Sequence, residues 1–161
     1  MSTDGRTVVD SKGGELPLES DAPYGCEDNE AWRAWANSLT ASKELGMVCR
    51  HIDSGTARFA LPDSKMAVNP NGASHGGLVA AAIDQAMGIV SVTVMPDLMV
   101  CVTSTLNLQY HLPSYFPLSI EARVARSGRA LIFVYVEVRD CEQNICVRGQ
   151  GTMVPRRVVT T

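Results

Sequence analysis

The chain lacks the marks of several large protein classes. Its five cysteines, Cys26, Cys49, Cys101, Cys141 and Cys146, form no C-x-x-C pair. That argues against a zinc ribbon, and the odd count argues against a disulfide scaffold. Cys141 and Cys146 flank an expected hairpin turn and could bridge across it, but reduced thiols are the expectation. No metal site is expected. The opening "MSTDGRTVVD" has neither a basic segment nor an apolar run, so no secretory signal is expected and the location reads as cytoplasmic. There is no strong basic excess. Residues 1–30 carry eight acids against Arg6 and Lys12, and the rest carries nine acids against twelve bases. An acidic leader thus precedes a mildly basic body, which suits an anionic ligand and is too weak for nucleic acid. Residues 76–96 are long enough to raise the question of a membrane span. Asp84, Gln85, Gly88, Ser91 and Thr93 interrupt them, so a core helix of a water-soluble protein is expected.

At 161 residues the chain fits one domain with a sizeable core. Residues 1–25, rich in Gly, Ser, Pro and acids, read as a flexible tail. The domain is expected over 26–157. It begins with a helix through "EDNEAWRAWANSLTASKELG", where Trp32, Trp35, Leu39 and Leu45 recur at helical spacing and Gly46 can close it. Strands are expected over 47–53 and 56–62, split by Ser54–Gly55. A loop then leads to an apolar helix from about His75 to Val90. Four strands follow, over 99–111, 117–126, 130–140 and 144–154. Strands and helices do not alternate, so a doubly wound parallel sheet is not expected. An α+β arrangement is: an antiparallel sheet curved around one long helix, with an extra N-terminal helix.

That helix poses the sharpest question. Between Lys65 and Asp97 the only formally charged residue is Asp84. An isolated carboxylate is costly to bury. Asp84 either faces a water pocket and caps a neighbour, or it does chemistry. Upstream stands "NPNGASHGG", residues 69–77. Glycines opening a helix leave backbone N–H groups free at its positive end, an arrangement suited to stabilising an oxyanion. A glycine-rich turn entering a helix is also common with no such role.

The combination Asn69, Gly72, His75, Gly76, Gly77 and Asp84 resembles the hotdog-fold acyl-CoA thioesterases of the phenylacetate-degradation type. "VTSTLNLQYHLP" (102–113) is similar to that family's strand after the helix, with Thr103 seven positions before Tyr110. "IEARVARSGRALIFVYVEVRD" resembles its closing strands. The resemblance covers roughly 45–155. It implies hydrolysis of an aryl- or medium-chain acyl-CoA. Asp84 would be the nucleophile or general base and the Gly76 N–H the carbonyl donor. Asn69 would orient water or substrate, His75 would shape the loop, and Thr103 would hold the water. Gly77 would approach the substrate, and Arg126 and Arg129 would meet coenzyme A phosphates. No cofactor is implied beyond coenzyme A itself. Some relatives carry a Thr one turn after the acid; Gly88 stands there here, which leaves Thr103 to supply the hydroxyl. A hotdog hydratase or dehydratase and a non-catalytic acyl-CoA-binding module are the alternatives.

The spacing adds a separate expectation. Gly76 and Asp84 are eight residues apart, about 12 Å of helix. One carbonyl carbon cannot touch both, so joint action requires two subunits. A homodimer with shared sites is expected, as the resemblance also implies, and pairing of dimers into a tetramer.

Overall fold

The computed structural model describes residues 6–9, 15–17, 22–63 and 68–160. The N-terminal helix is two helices. α1 (Asn29–Ser38) starts at Asp28, whose carboxylate accepts the Glu30 N–H, and presents Trp32 and Trp35 to the core. It ends where Leu39 turns extended and the Ser38 hydroxyl donates back to the Trp35 carbonyl. α2 (Thr40–Leu45) follows and closes on Gly46, whose φ of 68° is left-handed. The expected single helix is therefore corrected to a pair broken at Leu39.

β3 (Val48–Asp53) and β4 (Thr56–Leu61) form the first hairpin, turned at Ser54–Gly55. α3 (Gly76–Val92) comes next. β5 (Met99–Tyr110), β6 (Leu118–Ser127), β7 (Ile132–Arg139) and β8 (Ile145–Thr160) complete the core sheet. Its order is β3-β4-β6-β7-β8-β5, antiparallel throughout. α3 lies along the inner face, as an α+β sheet-around-helix fold requires. Alternation sets that face. Ile132, Val134, Val136 and Val138 of β7 are buried, while Phe133 and Tyr135 point outward. They meet Val79, Ile83, Ala86, Met87 and Val90 in one hydrophobic cluster. Glycines on β8 allow the close approach. A Cβ at Gly151 would lie 2.2 Å from Met87 Cε and 2.5 Å from the Thr105 carbonyl oxygen.

The reading of 1–25 as a tail needs correcting at two places. β1 (Arg6–Val9) pairs with the last residues of β8, and β2 (Glu15–Pro17) pairs with β1. The other residues before Ala22 lie outside those described. So do 64–67 in the loop before α3.

The two edges of the core sheet differ. At β3, the Asn37 side chain of α1 accepts the Cys49 N–H at 2.7 Å and donates to the Cys49 carbonyl at 3.4 Å. Among the described strands β5 pairs only with β8, so its other edge has no partner. α3 shares that opening. Gly77 and Ala81 are exposed, and Asp84 and Gly88 on the same stripe are only half-buried. The apolar helix thus keeps an open stripe beside an open strand edge within one chain, and Asp84 sits on the stripe.

Candidate active site

The loop before α3 is built by Asn69. Its side-chain oxygen accepts the Asn71 N–H at 2.9 Å and the Ala73 N–H at 3.2 Å, while its backbone accepts the Gly72 N–H. Gly72 has φ +79°, a value a side chain would resist. Ser74 ties this loop to the one after β5 through its backbone N–H and a hydroxyl pair with Ser114. Asn69 is therefore a loop-builder, with its carboxamide oxygen already engaged.

His75 then caps α3. Its Nδ1 accepts the Gly77 N–H at 3.0 Å. A Cβ at Gly77 would lie 3.1 Å from that ring, so glycine fits best there. The two glycines are not equivalent. The Gly77 N–H is taken, whereas no acceptor among the described residues takes the Gly76 N–H. Gly76 opens onto a cleft of about 360 Å³ that Asn69, Tyr110, His111, Leu112 and Tyr115 also line.

Asp84 does not line that cleft; it stands two turns further along α3. Thr103 of β5 donates its hydroxyl to Asp84 Oδ1 at 2.7 Å. Nearby, the Cys101 thiol lies 3.5 Å from the Gly88 carbonyl. Burial, and then the charge of Asp84, push its pKa up to about 12. It is therefore a neutral thiol and no nucleophile at neutral pH. The structure thus brings Asp84 and Thr103 together at one pole. It brings Asn69, His75 and Gly76 together at another, and separates the poles within the chain.

Arg126 and Arg129 are exposed around the β6–β7 turn, away from the cleft end of β5. Met153 of β8 pairs with Ile132 on one side and Thr103 on the other. That register puts the turn at the same end of the sheet as Arg156 and Arg157, opposite Val100 and Met99. Arg126 and Arg129 are the arginines expected to meet coenzyme A phosphates; Arg156 and Arg157 lie at the same end of the sheet. In the sequence Tyr110 is a mark of the resemblance, seven positions after Thr103, but with no role assigned; its hydroxyl donates to the Gly76 carbonyl at 2.7 Å.

The profile of the Thioesterase superfamily matches residues 71–147, which spans Gly76, Asp84 and Thr103. A candidate esterase of Saccharolobus solfataricus is 30% identical over 111 residues, 68% of this chain and 79% of that protein. The chain belongs to the thioesterase superfamily. Like other members, this thioesterase-superfamily chain has close fold relatives among solved structures. The Haemophilus influenzae thioesterase HI1161 aligns with a TM-score of 0.72 at 17% identity, covering 81% of this chain and 91% of that one. The Escherichia coli PaaI protein of the phenylacetic acid degradation operon aligns at 0.68 and 19%, covering 80% and 91%. These likenesses establish the hotdog fold, and the superfamily makes the chain a thioester hydrolase.

Proposed function

We propose that the protein hydrolyses an aryl- or medium-chain acyl-CoA to the free acid and coenzyme A, with Asp84 as its essential carboxylate. The observation that carries this is the Asp84–Thr103 pair on an open helix stripe, with the unpartnered Gly76 N–H on the same helix. The Gly76 N–H would hold the thioester oxygen as it becomes an oxyanion. Thr103 would orient Asp84 and the attacking water. Asp84 would take the water's proton as its oxygen bonds to the carbonyl carbon; the C–S bond then breaks and the thiolate leaves. In the nucleophilic version Asp84 Oδ attacks instead, and water cleaves the mixed anhydride. A carboxylate, a hydroxyl and a backbone N–H suffice, so no cofactor is invoked.

The open edge of β5 supports sharing of the site between subunits. Two copies pairing β5 edge to edge about a two-fold axis run antiparallel. The Gly76 end of one copy then turns toward the Asp84 and Met99 end of the other. The same move brings Arg156 and Arg157 toward the cleft, where they, with Arg126 and Arg129, would meet coenzyme A phosphates. Phe133 and Tyr135, exposed on the outer sheet face, offer a surface for pairing dimers into a tetramer. A cytoplasmic location accords with five free thiols. No helix among the described residues is long and apolar enough to cross a membrane.

A panel of acyl-CoAs incubated with a thiol reagent tests the reading. Release of free coenzyme A thiol by the parent and not by Asp84→Asn is the expected result. Hydration of an enoyl-CoA without thiol release would make it a hydratase, and saturable binding without turnover a binding module.

A further inference from the structure

Thr103 and Tyr110 are seven residues apart on one strand. In an unbroken strand, positions separated by an odd number face opposite sides of the sheet. Yet both reach α3: Thr103 donates to Asp84 and Tyr110 to the Gly76 carbonyl, each at 2.7 Å. A bulge reconciles them. Along β8 the partners step from Met153 to Thr152, while along β5 they step from Thr103 to Thr105, so Ser104 is the extra residue. Before it Cys101 and Thr103 face the helix; after it Leu108 and Tyr110 do, Leu108 meeting β8 at Gly149 beside Ile83.

The Gly76 carbonyl belongs to the same rigid plane as the Gly77 N–H. Tyr110 holds that plane by its oxygen, and His75 Nδ1 holds it by its hydrogen. Held at both ends, the plane fixes ψ of Gly76, a residue with little restraint of its own. The plane before it carries the unpartnered N–H. The Tyr110 ring packs there too, 3.5 Å from where a Cβ of Gly76 would stand. Burial raises the Tyr110 phenol pKa, so it stays a donor through the alkaline range of an assay.

We propose that Tyr110 is the positioning residue of the carbonyl-binding pole, and that the bulge at Ser104 lets one strand hold both poles of the site. This rests on the hydrolase reading above. Tyr110→Phe keeps the ring and removes only the hydroxyl. On the best substrate of the panel we expect kcat to fall about 10-fold, below the 10²–10³ typical of losing an oxyanion donor itself. KM, and the affinity for a non-hydrolysable thioether analogue, should stay within about 2-fold, because ground-state binding is untouched. Amide hydrogen exchange at Gly77 should accelerate in the variant, a readout that needs no turnover. An unchanged kcat, a change confined to KM, or unchanged exchange at Gly77 overturns the proposal. Asp84→Asn, run alongside, separates the two ideas. If it turns over like the parent, the role of Asp84 falls and Tyr110 is judged on its own readouts. If the parent releases no thiol from any acyl-CoA of the panel, the reading of the site falls and this inference with it. If it is inactive while Tyr110→Phe matches the parent, only the role of Tyr110 falls.

Discussion

Asp84 keeps its shape in Asp84→Asn and can still accept from Thr103, but it can no longer take a proton. A rate loss of at least ~100-fold is expected, with stability kept, because no buried ion pair is broken. Steady-state kinetics with a melting curve checks both halves. Gly76→Pro is a cleaner lesion than a helix-breaking residue suggests. Gly76 is the first helical position, where proline is tolerated, and His75 before it is already extended at φ -68° and ψ 123°. The substitution deletes the N–H and adds a ring in its place, whose Cβ would lie in ordinary contact with the Tyr110 ring, at 3.5 Å. We expect kcat to drop 10²–10³-fold with near-parental circular dichroism. Thr103→Ala and Asn69→Ala should part company. The first should lower kcat, since Thr103 touches the carboxylate. The second should also lower the melting temperature, since Asn69 holds its loop together. The thiols predict an alkaline weakness. Burial pushes Cys49 and Cys146 up to about 11 and Cys101 up to about 12, from an ordinary 9.0. Between pH 9 and those values the unfolded chain loses thiol protons that the fold retains, so stability falls as pH rises. The urea midpoint at pH 10.5 should lie below that at pH 8, and the gap should narrow in Cys101→Ala.

The β8 strand meets α3 and β5 at Gly149 and Gly151, and there a methyl group has nowhere to go. At Gly151 one clash is with a flexible Met87 end, the other with backbone oxygen of Thr105. Gly151→Ala should therefore destabilise by about 1–3 kcal/mol, as overpacking does, and Met87→Ala should rescue it only in part. Denaturant titration of the single and double variants measures this. Most elements were legible because their signals are local. The period-two apolar pattern of β7 and the long apolar run of α3 each fixed an element to within a few residues. The Ser104 bulge was not legible: its sign is a shift in pairing with β8, forty-odd residues away. Nor were β1 and β2, which carry no apolar period and are placed by the end of β8. The helix break at Leu39 depends on one residue's backbone and has no compositional mark. At the site, the types of residue were readable and their division of labour was not. Nothing in "HGG" says that one glycine N–H is consumed by the histidine and the other left free.

The open stripe of α3 and the unpaired edge of β5 are the surfaces that the proposed pairing of two copies would cover. A subunit-mixing experiment tests it. Asp84→Asn and Gly76→Pro are inactive alone if each destroys a different pole. After exchange, equal amounts give about half heterodimers, each with one intact site of two, so activity should return to about a quarter of the parent. Confirmed exchange with no recovered activity would place both poles in one chain's site. Dilution offers a second measure. Specific activity should fall at concentrations where sedimentation shows monomer.

The pairing of β5 solely with β8 also carries a message about the order of synthesis. A ribosome releases β5 some thirty-five residues before the first residue of β8 exists. Until then, the strand that orients both poles has no ladder on either side, and α3 lacks its last cover. The nascent chain therefore passes through an interval in which a twelve-residue strand offers two bare edges. The proposed docking of two copies along β5 would have to wait for translation through β8. Stalling or truncation before Ile145 would release a chain fit for aggregation instead of a half-active subunit.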